Sequence, residues 1–274
     1  MKIPMVGLGT WKLRGKECVD VICRALEIGY RHIDTAFVYE NHKEVGEGIK
    51  SFDRSKLFLT SKLSIGQAGK DMYLSQVEDT NIEGSVEAAL DLALKELDTD
   101  YLDAFLIHWP YRERPLEEIL VALFKMVDKG KLRFPGVSNY TMHHLQDAYD
   151  AGLKVPFNQV EFHPYLNQEE LRKFCEAHDT QLIAYRPFGK GKILESESLF
   201  EEIGKPYGKN GAQVILRWLI QKNIASIAKS ISSEHLKDNL NVFDFALTPS
   251  DEAQIDALNK NFRYAGGDWN EFEY

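Results

Sequence analysis

Cysteine is scarce in this chain. Cys18, Cys23 and Cys175 are an odd number with no C-x-x-C spacing. That pattern excludes a disulfide framework and a paired-thiol motif, and reads as free thiols in a reducing compartment, so the cytoplasm is the expected location. Long apolar runs are missing too. The longest candidate, Val214-Ile215-Leu216, meets Arg217, far short of the ~20 residues a spanning helix needs. Met1-Lys2-Ile3-Pro4 reaches Gly7 and Gly9 too soon for a secretory signal. Positive charge is in deficit: the formal net charge is −9. Neither nucleic acid nor an anionic membrane surface is therefore expected as a bulk partner, although a locally basic pocket could still take a small anion. No His/Cys cluster has zinc spacing, so no metal is expected. No G-x-G-x-x-G turn follows the first strand, and no Pro/Ser-rich linker divides the chain.

What is present is alternation. Residues 3–13, with Pro4, Gly7 and Gly9, read as a short hairpin capping one end of the body. A helical period follows from Glu17, with Cys18, Val21, Ile22, Ala25 and Leu26 on one face and Gly29 as its stop. Strands are expected at Arg31, Leu57, Ala104, Leu132–Val137, Phe157–Phe162, Gln181–Tyr185, Ile224–Ala228 and Val242–Phe245. Helices lie between them. One is opened by a Thr80-x-x-Glu83 capping box and carries Val86, Ala89, Leu90, Ala93, Leu94 and Leu97 on one face, and another is opened by Asn167-x-x-Glu170. Two long loops, 64–77 and 186–197, are placed on the rim of a site. Strand–helix alternation means a parallel sheet. About eight units fit one closed (β/α)₈ TIM barrel spanning residues 1–274 as a single domain. A doubly wound open sheet is the runner-up, disfavoured by the missing glycine turn.

Three apolar runs finish on an ionisable group. The Arg31 strand ends at Asp34 with Tyr39 just beyond, Leu57–Ser61 runs into Lys62, and Ala104–Ile107 runs into His108. Singly, each has an ordinary reading: a turn or cap for Asp34, loop packing for Tyr39, a solvated strand end for Lys62, a core histidine for His108. Jointly they sit at C-terminal strand ends, where barrels carry their chemistry. A free phenol has pKa about 10, and an adjacent ammonium makes it a better acid. A carboxylate can hold that ammonium, and a neutral histidine can orient a carbonyl oxygen. The four form an acid and an oxyanion site for a C=O gaining a hydride, which a cofactor must supply.

The motifs Gly7-Leu8-Gly9-Thr10-Trp11, Asp34-Thr35-Ala36 with Tyr39, Ser61-Lys62-Leu63 and Leu106-Ile107-His108-Trp109-Pro110 resemble the aldo-keto reductase family. So do Gly136-Val137-Ser138-Asn139, Asn158 through Tyr165, and Lys229-Ser230. The match runs in order from the N-terminal segment to the last helix. The resemblance implies a catalytic tetrad of Asp34, Tyr39, Lys62 and His108, with Tyr39 as the acid. It implies NADPH as cofactor, with NADH used less well. Ser138, Asn139 and Gln159 would hold the carboxamide, and Tyr185 would stack on the nicotinamide. Gly9, Thr10, Trp11, Asp34 and Arg186 would border the cofactor. Lys229, Ser230 and His235 would surround the 2′-phosphate, with Asn239 near the adenine. Trp11, Val38, Trp109 and His108 would line the pocket for a small aldehyde or ketone. The protein is expected to be a monomer.

The departures from the family pattern are informative. His235 stands where an arginine is frequent, and histidine cannot form a bidentate fork, so discrimination between NADPH and NADH should be weaker. Arg186 replaces a serine, either reaching the pyrophosphate or pointing to solvent. Ser64-Ile65 replaces a tryptophan and the tail is short, which suggests a more open pocket. Two rivals to a carbonyl reductase are a cofactor-bound regulatory subunit of the same fold and a barrel hydrolase. The intact tetrad weighs against the first. Against the second, Asp34 and Lys62 pair more naturally with each other than with a nucleophile, and no zinc-type His/Cys spacing appears.

Overall fold

The computed structural model of this chain describes residues 3–65, 80–267 and 270–274. Eight parallel strands close on themselves in sequence order. They are β1 (Val6–Gly9), β2 (His32–Asp34), β3 (Phe58–Leu63), β4 (Leu102–Ile107), β5 (Leu132–Ser138), β6 (Phe157–Glu161), β7 (Gln181–Tyr185) and β8 (Ala225–Ala228). The helices are α1 (Gly15–Ile28), α2 (His42–Ile49), α3 (Ile82–Leu97), α4 (Leu116–Asp128), α5 (Met142–Asp150), α6 (Glu169–Ala177), α7 (Lys192–Ser196), α8 (Leu199–Gly204), α9 (Gly211–Gln221), α10 (Ser233–Leu240) and α11 (Pro249–Asp256). The expected barrel is therefore observed.

Its first strand is not where the sequence placed it. Residues 3–13 form no hairpin. Val6–Gly9 pairs in parallel with both β2 and β8 and closes the barrel. Conversely, Val242–Phe245 forms no strand, and Phe243 is exposed. Once β1 joins β8 the sheet has no free edge for another strand to extend. The count of eight holds, with one member exchanged.

Apolar periodicity located the helices well. The buried faces of α1 and α3 contain the residues expected of them. Two caps differ. Asn81, not Thr80, caps α3, accepting from the Gly84 N–H at 3.1 Å. The helix starts one residue later than expected, and asparagine caps at least as well as threonine. Asn167 caps nothing. Its Nδ2 reaches the Asp256 carbonyl at the end of α11 instead, while Gln168 occupies the cap position of α6 without a side-chain capping bond, its Nε2 donating to the Glu161 carbonyl at 2.6 Å. The rim loop after β3 lies, beyond Ile65, outside the described residues. The loop after β7 contains a 3₁₀ turn at Gly189–Gly191 and then α7.

Two apolar clusters fill the body. The larger lies between sheet and helices. The smaller comprises Ile3, Phe58, Ala104, Leu106, Phe157, Ile183, Ala225 and Ile227 and fills the barrel interior. Gly7 makes room for it: a Cβ there would stand 2.6 Å from Ile227 and 2.8 Å from His32. Side chains alternate across a strand, so each inward row continues two or four residues on. Phe58 is followed by Thr60 and Lys62, Phe157 by Gln159 and Glu161, Ile183 by Tyr185. Apolar filling thus gives way to polar groups at the C-terminal mouth.

Candidate active site

Strand register brings the polar groups together. Gly9 pairs with Asp34 and Asp34 with Thr60. Lys62 lies opposite Leu106, two residues before His108. Thr10 pins the end of β2, because its N–H and its Oγ1 both donate to the Asp34 carbonyl, at 3.0 and 2.9 Å.

Lys62 is fully buried. Its Nζ donates to Asp34 Oδ1 at 2.5 Å and to the Thr35 carbonyl at 2.9 Å, and lies 3.5 Å from Tyr39 Oη. The other carboxylate oxygen, Asp34 Oδ2, accepts from Gln159 Nε2 at 2.7 Å. Burial lowers the Lys62 pKa, and the Asp34 carboxylate opposes that effect. The ammonium is thus held by one full charge and one carbonyl, with the phenol as its third neighbour. Tyr39 sits on a 3₁₀ turn, Phe37–Tyr39, with Val38 half-buried beside it.

His108 follows β4, its N–H donating to the Leu63 carbonyl at 2.9 Å. Its ring meets that of Tyr39 edge-on, with centroids 5.9 Å apart. Burial, then the Lys62 ammonium, hold its imidazole well below the usual histidine range, so it is neutral. Its Nδ1 is buried without a hydrogen-bond partner.

A second group stands at the ends of β5, β6 and β7. Ser138, Asn139 and Gln159 are buried. Ser138 Oγ donates to the Gln159 carbonyl at 2.8 Å, and Asn139 Nδ2 to the His108 carbonyl at 3.0 Å. Asn139 has φ +64°, a conformation asparagine tolerates better than most residues. Tyr185 Oη donates to Asn139 Oδ1 at 2.6 Å, which fixes the plane of the phenol ring.

The remaining predicted residues are less gathered. Trp11 is 40% exposed, with Lys12 over its ring at 4.6 Å. Lys229 and His235 are exposed, while Ser230 and Asn239 are buried. Ser230 Oγ accepts from the Ser232 N–H at 3.1 Å, shaping the turn into α10. Arg186 does not simply point to solvent. Its guanidinium stands 5.5 Å from the Trp11 ring and 5.8 Å from Tyr185, with Nη1 3.9 Å from the buried Glu161 carboxylate.

Sequence reading missed the role of the tail. Glu161 accepts from the N–H groups of Tyr264 and Ala265, at 2.7 and 2.6 Å. Further on, Glu271 accepts from His144 Nε2 at 2.9 Å, and Phe272 packs edge-on against Trp109 with centroids 5.7 Å apart. The tail is short but folds back onto the mouth, so Trp109 is less open than its length suggested. The signal was present only as a carboxylate in a strand and aromatics in the tail. No metal-binding cluster, and no helix long and apolar enough to cross a membrane, occurs among the described residues.

The sequence profile of the Aldo/keto reductase family matches residues 5–260. The chain is 40% identical to Glyoxal reductase of Bacillus subtilis (strain 168), over 96% of this chain and 91% of that protein. It is 37% identical to Aldo-keto reductase family 1 member A1 of Xenopus tropicalis, over 96% and 88%. Among solved structures, it is similar to an aldo-keto reductase enzyme from a Medee basin deep-sea metagenome library. There the TM-score is 0.88 and the identity 33%, over 100% of this chain and 97% of that one. With the barrel and the polar mouth described above, these likenesses establish that the chain belongs to the aldo/keto reductase family, oxidoreductases that reduce small carbonyl compounds with a nicotinamide cofactor.

Proposed function

We propose that this protein reduces a small aldehyde or ketone to the alcohol with NADPH, and that Tyr39 is the general acid. The observation that carries this reading is the buried Lys62 ammonium, which stands between Asp34 Oδ1 at 2.5 Å and Tyr39 Oη at 3.5 Å. An ammonium beside a phenol favours loss of the phenolic proton. Asp34 and Gln159 keep the lysine aimed, since both carboxylate oxygens are engaged. His108, neutral through burial, can donate to a carbonyl oxygen without repelling the Lys62 charge. Trp11, Val38 and Trp109, with Phe272 packed edge-on against Trp109, would line the substrate pocket with apolar surface and limit water.

The residues at the mouth fit a nicotinamide dinucleotide. Gly9 leaves a bare backbone: a Cβ there would stand 2.8 Å from Ile227. Tyr185 offers a ring face fixed by Asn139, and Ser138, Asn139 and Gln159 supply the polar atoms a carboxamide needs. Lys229, Ser230 and the first turn of α10, with His235, would take the adenosine phosphate, and Asn239 the adenine. Trp11, Thr10 and Arg186 would border the bridge between them. When bound, the cofactor supplies hydride. Tyr39 then gives its proton to the carbonyl oxygen, and the Lys62 charge stabilises the phenolate left behind. The three free thiols suit a cytoplasmic protein.

The test is loss of NADPH absorbance with a panel of small carbonyls. Glyoxal belongs in it, because one relative is named a glyoxal reductase. Turnover of at least one compound is expected, and none across a broad panel would defeat the reading.

A further inference from the structure

Tyr39 is carried by a turn of three residues, so its place above Lys62 depends on what holds that turn. Glu40 leaves the turn at φ +50°, and Asn41 and His42 follow, both buried. Asn41 occupies the N-cap position of α2, yet its side chain makes no capping bond. Asparagine at that position ordinarily caps. Here its Oδ1 accepts from Thr35 Oγ1 at 2.7 Å, and its Nδ2 donates to the Thr10 carbonyl at 2.9 Å and the Leu13 carbonyl at 3.1 Å. Those partners border the tetrad. Thr10 holds the Asp34 carbonyl, and the Thr35 carbonyl accepts from Lys62.

His42 reaches the other way. Its Nε2 lies 2.8 Å from Ser61 Oγ and its Nδ1 3.2 Å from Glu96 Oε2. A carboxylate only accepts, so Nδ1 carries the proton and Nε2 accepts from the serine hydroxyl. Burial, and the nearby Lys62 charge, hold His42 below its ordinary range and neutral, with Glu96 opposing. Ser61 directly precedes Lys62. Strand alternation puts its hydroxyl on the helix side while Lys62 faces the mouth. The two segments that bear the acid and its ammonium are thus joined from behind.

We propose that Asn41 and His42 are positioning residues for carbonyl reduction: they staple the Tyr39 turn to β1, β2 and β3 and so set the phenol–ammonium separation. Neither touches the reacting atoms. The proposal rests on Tyr39 being the acid.

Two variants test it without altering the tetrad: Ser61→Ala, which removes the far end of the histidine strut, and Asn41→Leu, which keeps the branched shape but no hydrogen bonds. The first readout needs no turnover. With ¹³Cζ-labelled tyrosine, the Tyr39 signal, assigned by its loss in Tyr39→Phe, is titrated by NMR. Its midpoint should move upward in both variants, because the ammonium then stands farther from the phenol. The second readout is kinetic. A displacement of about 1 Å at a reacting group can cost ~10²-fold, so kcat should fall about tenfold or more in each variant while the NADPH dissociation constant changes little. A Tyr39 titration that coincides with that of the unaltered protein, with only the melting temperature lowered, would overturn the staple. An unaltered protein that turns over no carbonyl would defeat the reductase reading instead, and the NMR arm would still decide the staple.

Discussion

Replacing Lys62 by methionine separates what the lysine does for the fold from what it does for chemistry. Its Nζ and Asp34 Oδ1 are 2.5 Å apart, with side-chain exposures of 0% and 3%. Methionine fills the aliphatic volume but leaves the Asp34 carboxylate buried with only Gln159 as a side-chain donor. Breaking a buried pair from one side costs about 3–5 kcal/mol, because an uncompensated charge remains. For a chain of this size that is a fall in Tm of roughly 6–20 °C. The double variant Asp34→Asn/Lys62→Met removes both charges, and an apolar or neutral replacement of a buried pair is often close to neutral. Its stability should therefore return most of the way. An unpaired buried carboxylate is relieved by taking up a proton, so the deficit of the single variant should narrow as the pH falls from about 8 to about 5. Turnover should be lost in both, since neither has an ammonium beside Tyr39. Urea melts at several pH values, with carbonyl-dependent NADPH oxidation alongside, measure all of this. A single variant as stable as the double one would refute the charge argument, and turnover in the double variant would refute the catalytic one.

Tyr39→Phe should cut kcat by about 10²–10⁴-fold, the range for a lost general acid, and leave NADPH binding intact by fluorescence titration. Turnover near that of the unaltered protein would remove Tyr39 from its role. His32, wholly buried, has its pKa lowered from 6.5 to about 4, chiefly by burial. The unfolded chain binds that proton first, so stability should fall as the pH drops through 6.5 toward 4, by about 3 kcal/mol from this group at the lower end. His32→Gln should flatten that slope in urea melts, and an unchanged slope would refute the assignment. His235→Arg should raise the ratio of kcat/KM for NADPH over NADH about tenfold, through a charge-assisted contact with the 2′-phosphate. A ratio unmoved by the change would show that position 235 does not face the phosphate.

Most of this fold was legible because two periods dominate it. The inward-facing helix stripes of α1 and α3 were read residue by residue. The error at the barrel's ends has a physical cause. Val6–Gly9 is only four residues long, with glycine at two positions, so its own chemistry favours a turn; pairing on both sides makes it a strand. Val242–Phe245 has the apolar content of a strand but no edge to join. Asp34, Lys62 and His108 could be picked out because each ends an apolar run, and Tyr39 because it lies just beyond the first. Glu161 could not, because the tail that it anchors is separated from it by about a hundred residues. Asn41 and His42 stand at the N-cap and first position of α2, but their side chains bond to other segments.

The sequence by itself determined the alternation of strands and helices, the inward rows on each strand, and the ionisable residues at the C-terminal ends, since these follow from local period and residue type. Closure of the sheet decided the rest. It set the register that brings Asp34 within 2.7 Å of Gln159 across 125 residues, and it folded the tail onto Trp109. It also buried Lys62 deeply enough that its charge must be shared with Asp34. Those outcomes depend on distances between segments remote in the chain, which no local pattern encodes.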